Sequence, residues 1–170
     1  MFKMNFYKTA NGWKYLAVSL VVIILDQLTK GLIRNNIELN SIGYSLTPFF
    51  SIVHVHNEGA AFSFLSEAGG WQRYFFLTVS SLISVFLFFY LLHTDKAKKY
   101  TCISVTLILG GAIGNLIDRA VLSYVEDFLL FYLKTSNHTY VYPAFNVADI
   151  AVCVGAFLLV LISIFNKESK

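Results

Sequence analysis

Charge is what this chain has least of. Asp, Glu, Lys and Arg make up 14% of its 170 residues, where an ordinary soluble domain carries about a quarter. With 56% hydrophobic residues and a mean hydropathy of +0.63, the deficit excludes a water-soluble globule and makes a bilayer the main solvent. Cysteine is nearly as scarce. Cys102 and Cys153 fall in different apolar stretches, the first expected near the inner membrane surface and the second near the outer, which excludes a disulfide framework. Both read as small buried apolar filler. No His-Glu-x-x-His and no Gly-x-Ser-x-Gly occurs, so neither a zinc-hydrolase helix nor a serine-hydrolase elbow is expected. Ser45 and Ser63 carry no motif that would pair them with Lys30. His54 and His56 share a strand face but show no third ligand, so no metal is expected, and nothing calls for a cofactor. The net charge of +3 follows from membrane topology and implies no nucleic-acid partner.

Long apolar runs are what the chain does have. A span needs roughly 20 mostly apolar residues, and residues 13–33, 71–93, 101–117 and 146–165 each qualify. Residues 16–25 resemble a signal-peptide core, but no small-residue cleavage site follows, so the first span is expected to stay as an uncleaved helix. Lys3, Lys8, Lys14, Lys96, Lys98, Lys99, Lys167 and Lys170 then fall on one side of the membrane, and Lys30, Arg34, Arg73, Arg119 and Lys134 on the other. The excess of basic residues marks the cytoplasmic side, which also holds both termini.

The two outer connections carry the remaining structure. Residues 43–65 are dense in aromatic and β-branched side chains, which predicts strands, here turning at Asn57-Glu58-Gly59. The run Phe128-Leu129-Leu130-Phe131-Tyr132-Leu133-Lys134 is too short to span and predicts a short interfacial helix or re-entrant piece. The expected fold is an integral membrane protein, mainly α: four transmembrane helices, a small extracytoplasmic β-sheet and that interfacial helix, all in one domain covering 1–170.

Within such a chain, ionisable groups at membrane depth are functional candidates. Chain direction places Asp26 and Lys30, Asn115, Asp118 and Arg119, and Asn146 and Asp149 all toward the outer side, with Asp127 in the last outer connection. Gly111, Asn115, Asp118 and Arg119 share a helix face. Gly110 and Gly114 form a small-xxx-small pair for close helix approach. Asp26 and Lys30 have ion-pair spacing and read as a structural pair or a headgroup anchor. Asp118 and Arg119 either anchor the end of their span or contact substrate; Asn115 and Asn146 either glue helices or line a site. Two converging carboxylates, Asp127 and Asp149, suggest a shared proton and acid/base hydrolysis. A non-enzymatic membrane subunit or a proton or ion carrier using the same carboxylates is the alternative.

At these residues the sequence resembles the lipoprotein signal peptidases, the signal peptidase II family of bacteria. The matching blocks are Asp26-Gln27-Leu28-Thr29-Lys30, Asn57-Glu58-Gly59-Ala60-Ala61-Phe62, the run from Gly110 to Arg119, Val125-Glu126-Asp127-Phe128, and Pro143-Ala144-Phe145-Asn146-Val147-Ala148-Asp149, in the family's order. The resemblance implies an aspartic endopeptidase of the bacterial inner membrane with Asp127 and Asp149 as its catalytic pair. It implies a pocket lined by Asn57, Gly111, Asn115, Arg119 and Asn146, supported by Asp26, Lys30 and Asp118. It also implies cleavage of diacylglyceryl-modified prolipoproteins just before the lipidated cysteine, at an outward-facing site bordered by membrane lipid, and inhibition by globomycin-type cyclic peptides.

Overall fold

A computed structural model of the chain describes residues 11–59 and 71–165. Four helices dominate: α1 Leu16–Asn36, entered through a 3-10 turn at Gly12–Tyr15, α2 Trp71–Leu92, α3 Lys99–Val121 and α4 Val147–Phe165. All four are long and apolar enough to cross a membrane, and they match the spans expected from hydropathy to within a turn or so at each end. The other three helices all pack against α3, which explains why half of its most apolar window is buried, against 11–22% in the others. The faces turned outward carry Leu20, Ile24, Leu28, Phe86, Phe89, Phe157 and Ile164, as lipid contact requires.

Glycine sets how closely α3 is approached. A Cβ on Gly110 would sit 2.9 Å from the Ser19 carbonyl of α1, and one on Gly111 would overlap the Ala148 carbonyl of α4. Gly114 faces the Asp26 carboxylate, 2.7 Å from such a Cβ. The small-residue stripe therefore serves two neighbours at once. Gly111→Ala is expected to cost about 1–3 kcal/mol through overpacking, read as a lowered melting temperature in detergent. Gly31→Ala is the control, because nothing among the described residues lies within 4 Å of its Cβ position; an equal loss in both variants would remove the packing explanation.

Above the polar end of the bundle lies one antiparallel sheet in the order β1-β2-β3-β4, formed by Ser41–Thr47, Phe50–Asn57, Val125–Lys134 and Thr139–Val141. Two expectations change here. The first hairpin turns at Pro48-Phe49, not at Asn57-Glu58-Gly59. Proline has a preset φ and no N–H to give a ladder, whereas residues 50–57 run without a breaker. Asn57 does make a turn, its Oδ1 accepting the Gly59 N–H at 3.1 Å, but that Asx turn ends β2 and leads into residues outside the description. Ala60, Ala61, Phe62 and Ser63, named in the sequence reading, lie there too.

The second change concerns residues 128–134, which are strand and not an interfacial helix. A short apolar run has no period that separates the two. What decides is the open edge of β2, which pairs with β3 from Phe50↔Phe131 to Asn57↔Val125. The far half of β3 then pairs with β4.

Candidate active site

The polar ends of the helices and the near end of β3 enclose a cavity of about 540 Å³ lined by Asn57, Asn115, Arg119, Asp127 and Asp149 on its polar side. Phe76 of α2 and Ile150, Cys153 and Val154 of α4 form its apolar wall. Cys153 is thus an exposed wall residue and not buried filler; Cys102 is fully buried.

Asp149 is positioned by how its helix begins. Asn146 caps α4, its Oδ1 accepting the Asp149 N–H at 2.9 Å, while the Asp149 Oδ2 accepts the Asn146 N–H at 3.2 Å. This reciprocal pair is a capping box, and it holds the carboxylate at the mouth of the cavity. The other oxygen, Oδ1, accepts from Asn115 Nδ2 at 2.8 Å.

Asp127 reaches the same cavity from β3. Its Oδ1 accepts from Asn146 Nδ2 at 2.7 Å and its Oδ2 from Asn57 Nδ2 at 2.9 Å. Asn146 therefore touches both acidic residues, one through each end of its amide. Burial, and then the charge of Asp149, push the Asp127 carboxyl up to about 7, against the two asparagine hydrogen bonds that favour its ionised form. The backbone reinforces the arrangement, since Phe145 exchanges hydrogen bonds with Leu129, N to O at 3.1 Å and O to N at 2.8 Å. Strand β3 and the start of α4 are joined directly.

Behind the cavity lies a buried ionic cluster. Lys30 Nζ is 2.8 Å from Asp26 Oδ2, 2.8 Å from Asp118 Oδ2 and 2.9 Å from Asn115 Oδ1. All three ammonium protons thus have acceptors. Asp26 also accepts the Ala148 N–H of α4 at 2.9 Å, and Gln27 donates to Asp118 at 2.9 Å and to the Gly114 carbonyl at 3.2 Å. Because Lys30 occupies the oxygen of Asn115, the amide nitrogen is the end that faces Asp149. Asp26, Lys30 and Asp118 are at most 1% exposed, which rules out a headgroup anchor.

The expected pocket residues divide into two groups. Asn57, Asn115 and Arg119 are on the wall, with the Arg119 guanidinium 5.2 Å from the Phe76 ring and donating to the Gly59 carbonyl at 3.2 Å. Asn146 is fully buried behind the wall, and Gly111 is taken up by the α3–α4 contact. Phe76, Ile150 and Val154 carried no sequence signal, being apolar residues within apolar spans.

The chain is similar to known proteins along most of its length. The model of a family described as signal peptidase (SPase) II matches residues 18–165. The lipoprotein signal peptidase of Actinobacillus succinogenes is 42% identical over 163 residues, covering 96% of this chain and 97% of that one. That of Coxiella burnetii is 40% identical over 163 residues, with coverage of 96% and 97%. A solved structure of a bacterial membrane enzyme superposes with a TM-score of 0.75 at 26% identity, covering 96% of both chains. With four membrane-length helices, a carboxylate-lined cavity at their polar end and a match running nearly from end to end, the chain belongs to the signal peptidase II family.

Proposed function

We propose that this peptidase is an aspartic endopeptidase that removes signal peptides from diacylglyceryl-modified prolipoproteins, cutting just before the lipidated cysteine. The observation that carries the reading is the convergence of Asp127 and Asp149 on one cavity through a shared asparagine. Neighbouring carboxyls resist double ionisation, so the pair holds one proton, and the buried Asp127 is its seat. Asp149 then takes a proton from water as the water attacks the scissile carbonyl. Asp127 hydrogen-bonds the developing oxyanion, and the departing amine collects a proton from the pair. No acyl-enzyme forms.

The walls support the substrate class. In this reading the apolar side formed by Phe76, Ile150 and Val154 faces lipid, so that acyl chains stay in the bilayer while the peptide reaches the carboxylates. Arg119 offers the wall's cation to peptide carbonyls or a lipid ester. The same cavity is the expected seat of globomycin-type peptides. In this reading both termini are cytoplasmic, and the sheet and cavity face outward from the inner membrane, as the lysine distribution requires. Purified protein in detergent is expected to cleave a signal peptide whose cysteine carries diacylglycerol and to leave the same peptide without lipid intact. Equal cleavage of both peptides would overturn the substrate assignment, and cleavage of neither would favour a binding subunit or an ion carrier.

A further inference from the structure

On the face of the sheet turned away from the carboxylate pair, His54, His56 and Glu126 meet. His56 and Glu126 are opposite each other in the β2–β3 register, so their side chains share that face. His54 lies in the bulged stretch between Ile52 and Val55, where a bulge re-aims a side chain. One ligand atom from each of the three residues lies within 4.8 Å of the others.

His54 supplies the decisive detail. Its Nδ1 is 2.8 Å from the Ile37 carbonyl, which only accepts, so Nδ1 carries a proton and, in the neutral ring, Nε2 is the lone pair. That nitrogen is buried and has no hydrogen-bond partner among the described residues. Its neighbour at 3.7 Å is Glu126 Oε1, another acceptor. In the neutral ring two lone pairs then face each other across 3.7 Å, a buried gap that a cation between them would fill. An Nδ1–H held by a carbonyl is also the arrangement that orients a metal-binding imidazole.

We propose that His54 Nε2, one ring nitrogen of His56 and Glu126 form a binding site for a divalent transition-metal ion of the zinc class. Two imidazoles and a carboxylate are an established zinc ligand set, with a fourth position left for water. Tetrahedral ligands about 2.0–2.1 Å from zinc stand roughly 3.3 Å apart, so the His54–Glu126 pair at 3.7 Å needs only slight contraction. His56 must move more; it is half-buried and stacked on Tyr124 with ring centroids 3.5 Å apart. Arg34 is the competitor, its Nε and Nη2 lying 2.6 and 3.0 Å from the Glu126 oxygens, but its side chain is 41% exposed and free to withdraw. A bound ion clamps β2 to β3 beside Asn57 and Asp127. This site is separate from the carboxylate pair and does not rest on the peptidase reading.

The test uses the full-length chain in detergent, freed of any affinity tag and treated with chelator, then titrated with zinc chloride by calorimetry. Cobalt chloride in parallel reports ligand geometry through its visible absorption. One equivalent of zinc is expected to bind and to raise the melting temperature, and cobalt to show tetrahedral bands. His56→Ala, at a half-buried position, and Glu126→Gln are each expected to weaken binding by at least about 10–100-fold, the loss seen even for outer-shell partners. Arg34→Gln is expected to tighten it, and Asp149→Asn to leave it unchanged. No saturable binding to the wild-type chain, binding unchanged in His56→Ala, or binding lost in Asp149→Asn would each overturn the proposal.

Discussion

Asp127→Asn and Asp149→Asn are each expected to cut kcat by about 10²–10⁴-fold, the usual share of a positioned acid or base, while the protein stays folded. Asparagine keeps the volume of the carboxylate, turns one of its two acceptor oxygens into a donor, and neither gives nor takes the proton. The check is turnover of a lipidated signal peptide beside a thermal melt in detergent. Near-normal turnover in either variant removes the two-carboxylate mechanism. The pH profile carries the same argument. Asp127 holds its proton up to about pH 7, so cleavage should fall as pH rises through that region and should also fall in acid, when the pair takes up a second proton. These are properties of the pair as a whole. The Asn57 hydrogen bond favours the ionised form of Asp127, so Asn57→Ala should move the alkaline limb to higher pH. An unmoved limb would assign that limb to another group.

The second large effect is on stability. Lys30→Met leaves Asp26 and Asp118 facing each other in a site where both are at most 1% exposed. Breaking a buried ion pair by removing one member costs about 3–5 kcal/mol, which thermal unfolding in detergent should register as a pronounced loss. The same change frees the Asn115 oxygen, so its nitrogen is no longer obliged to face Asp149. The expected kinetic signature is therefore a drop in kcat larger than any rise in KM. Neutralising one acid as well, in Lys30→Met/Asp118→Asn, should recover part of the stability but not the rate. A single variant that melts like the wild type would show that the lysine contributes nothing to the bundle.

Much of this was readable from side-chain chemistry alone. The four spans follow from length and hydropathy, and Asp127 and Asp149 stand out because carboxylates are rare in such a chain. The polar residues of α1, α3 and α4 were legible for the same reason, each being conspicuous against apolar neighbours. Residues 128–134 were not, because a seven-residue apolar run has no period of its own and takes its conformation from the β2 edge beside it. The Asn146–Asp149 capping box is half visible: residues three apart can share a helix face, but which atom bonds which depends on where α4 begins. Nothing in the sequence around Glu126 sets it apart from the block it stands in. Its company, His54, His56 and Arg34, is assembled by strand register and helix docking that no local pattern reports.

The backbone stitch between Leu129 and Phe145 bears on how such an enzyme tolerates its solvent. Bilayers differ in thickness, and membrane helices answer by tilting. Tilt of α2 shifts the part of the apolar wall that Phe76 builds, whereas both acidic residues ride on one stitched length of chain and travel together. Changes in lipid composition should therefore alter how readily a substrate enters, and leave untouched the spacing at which its bond is broken.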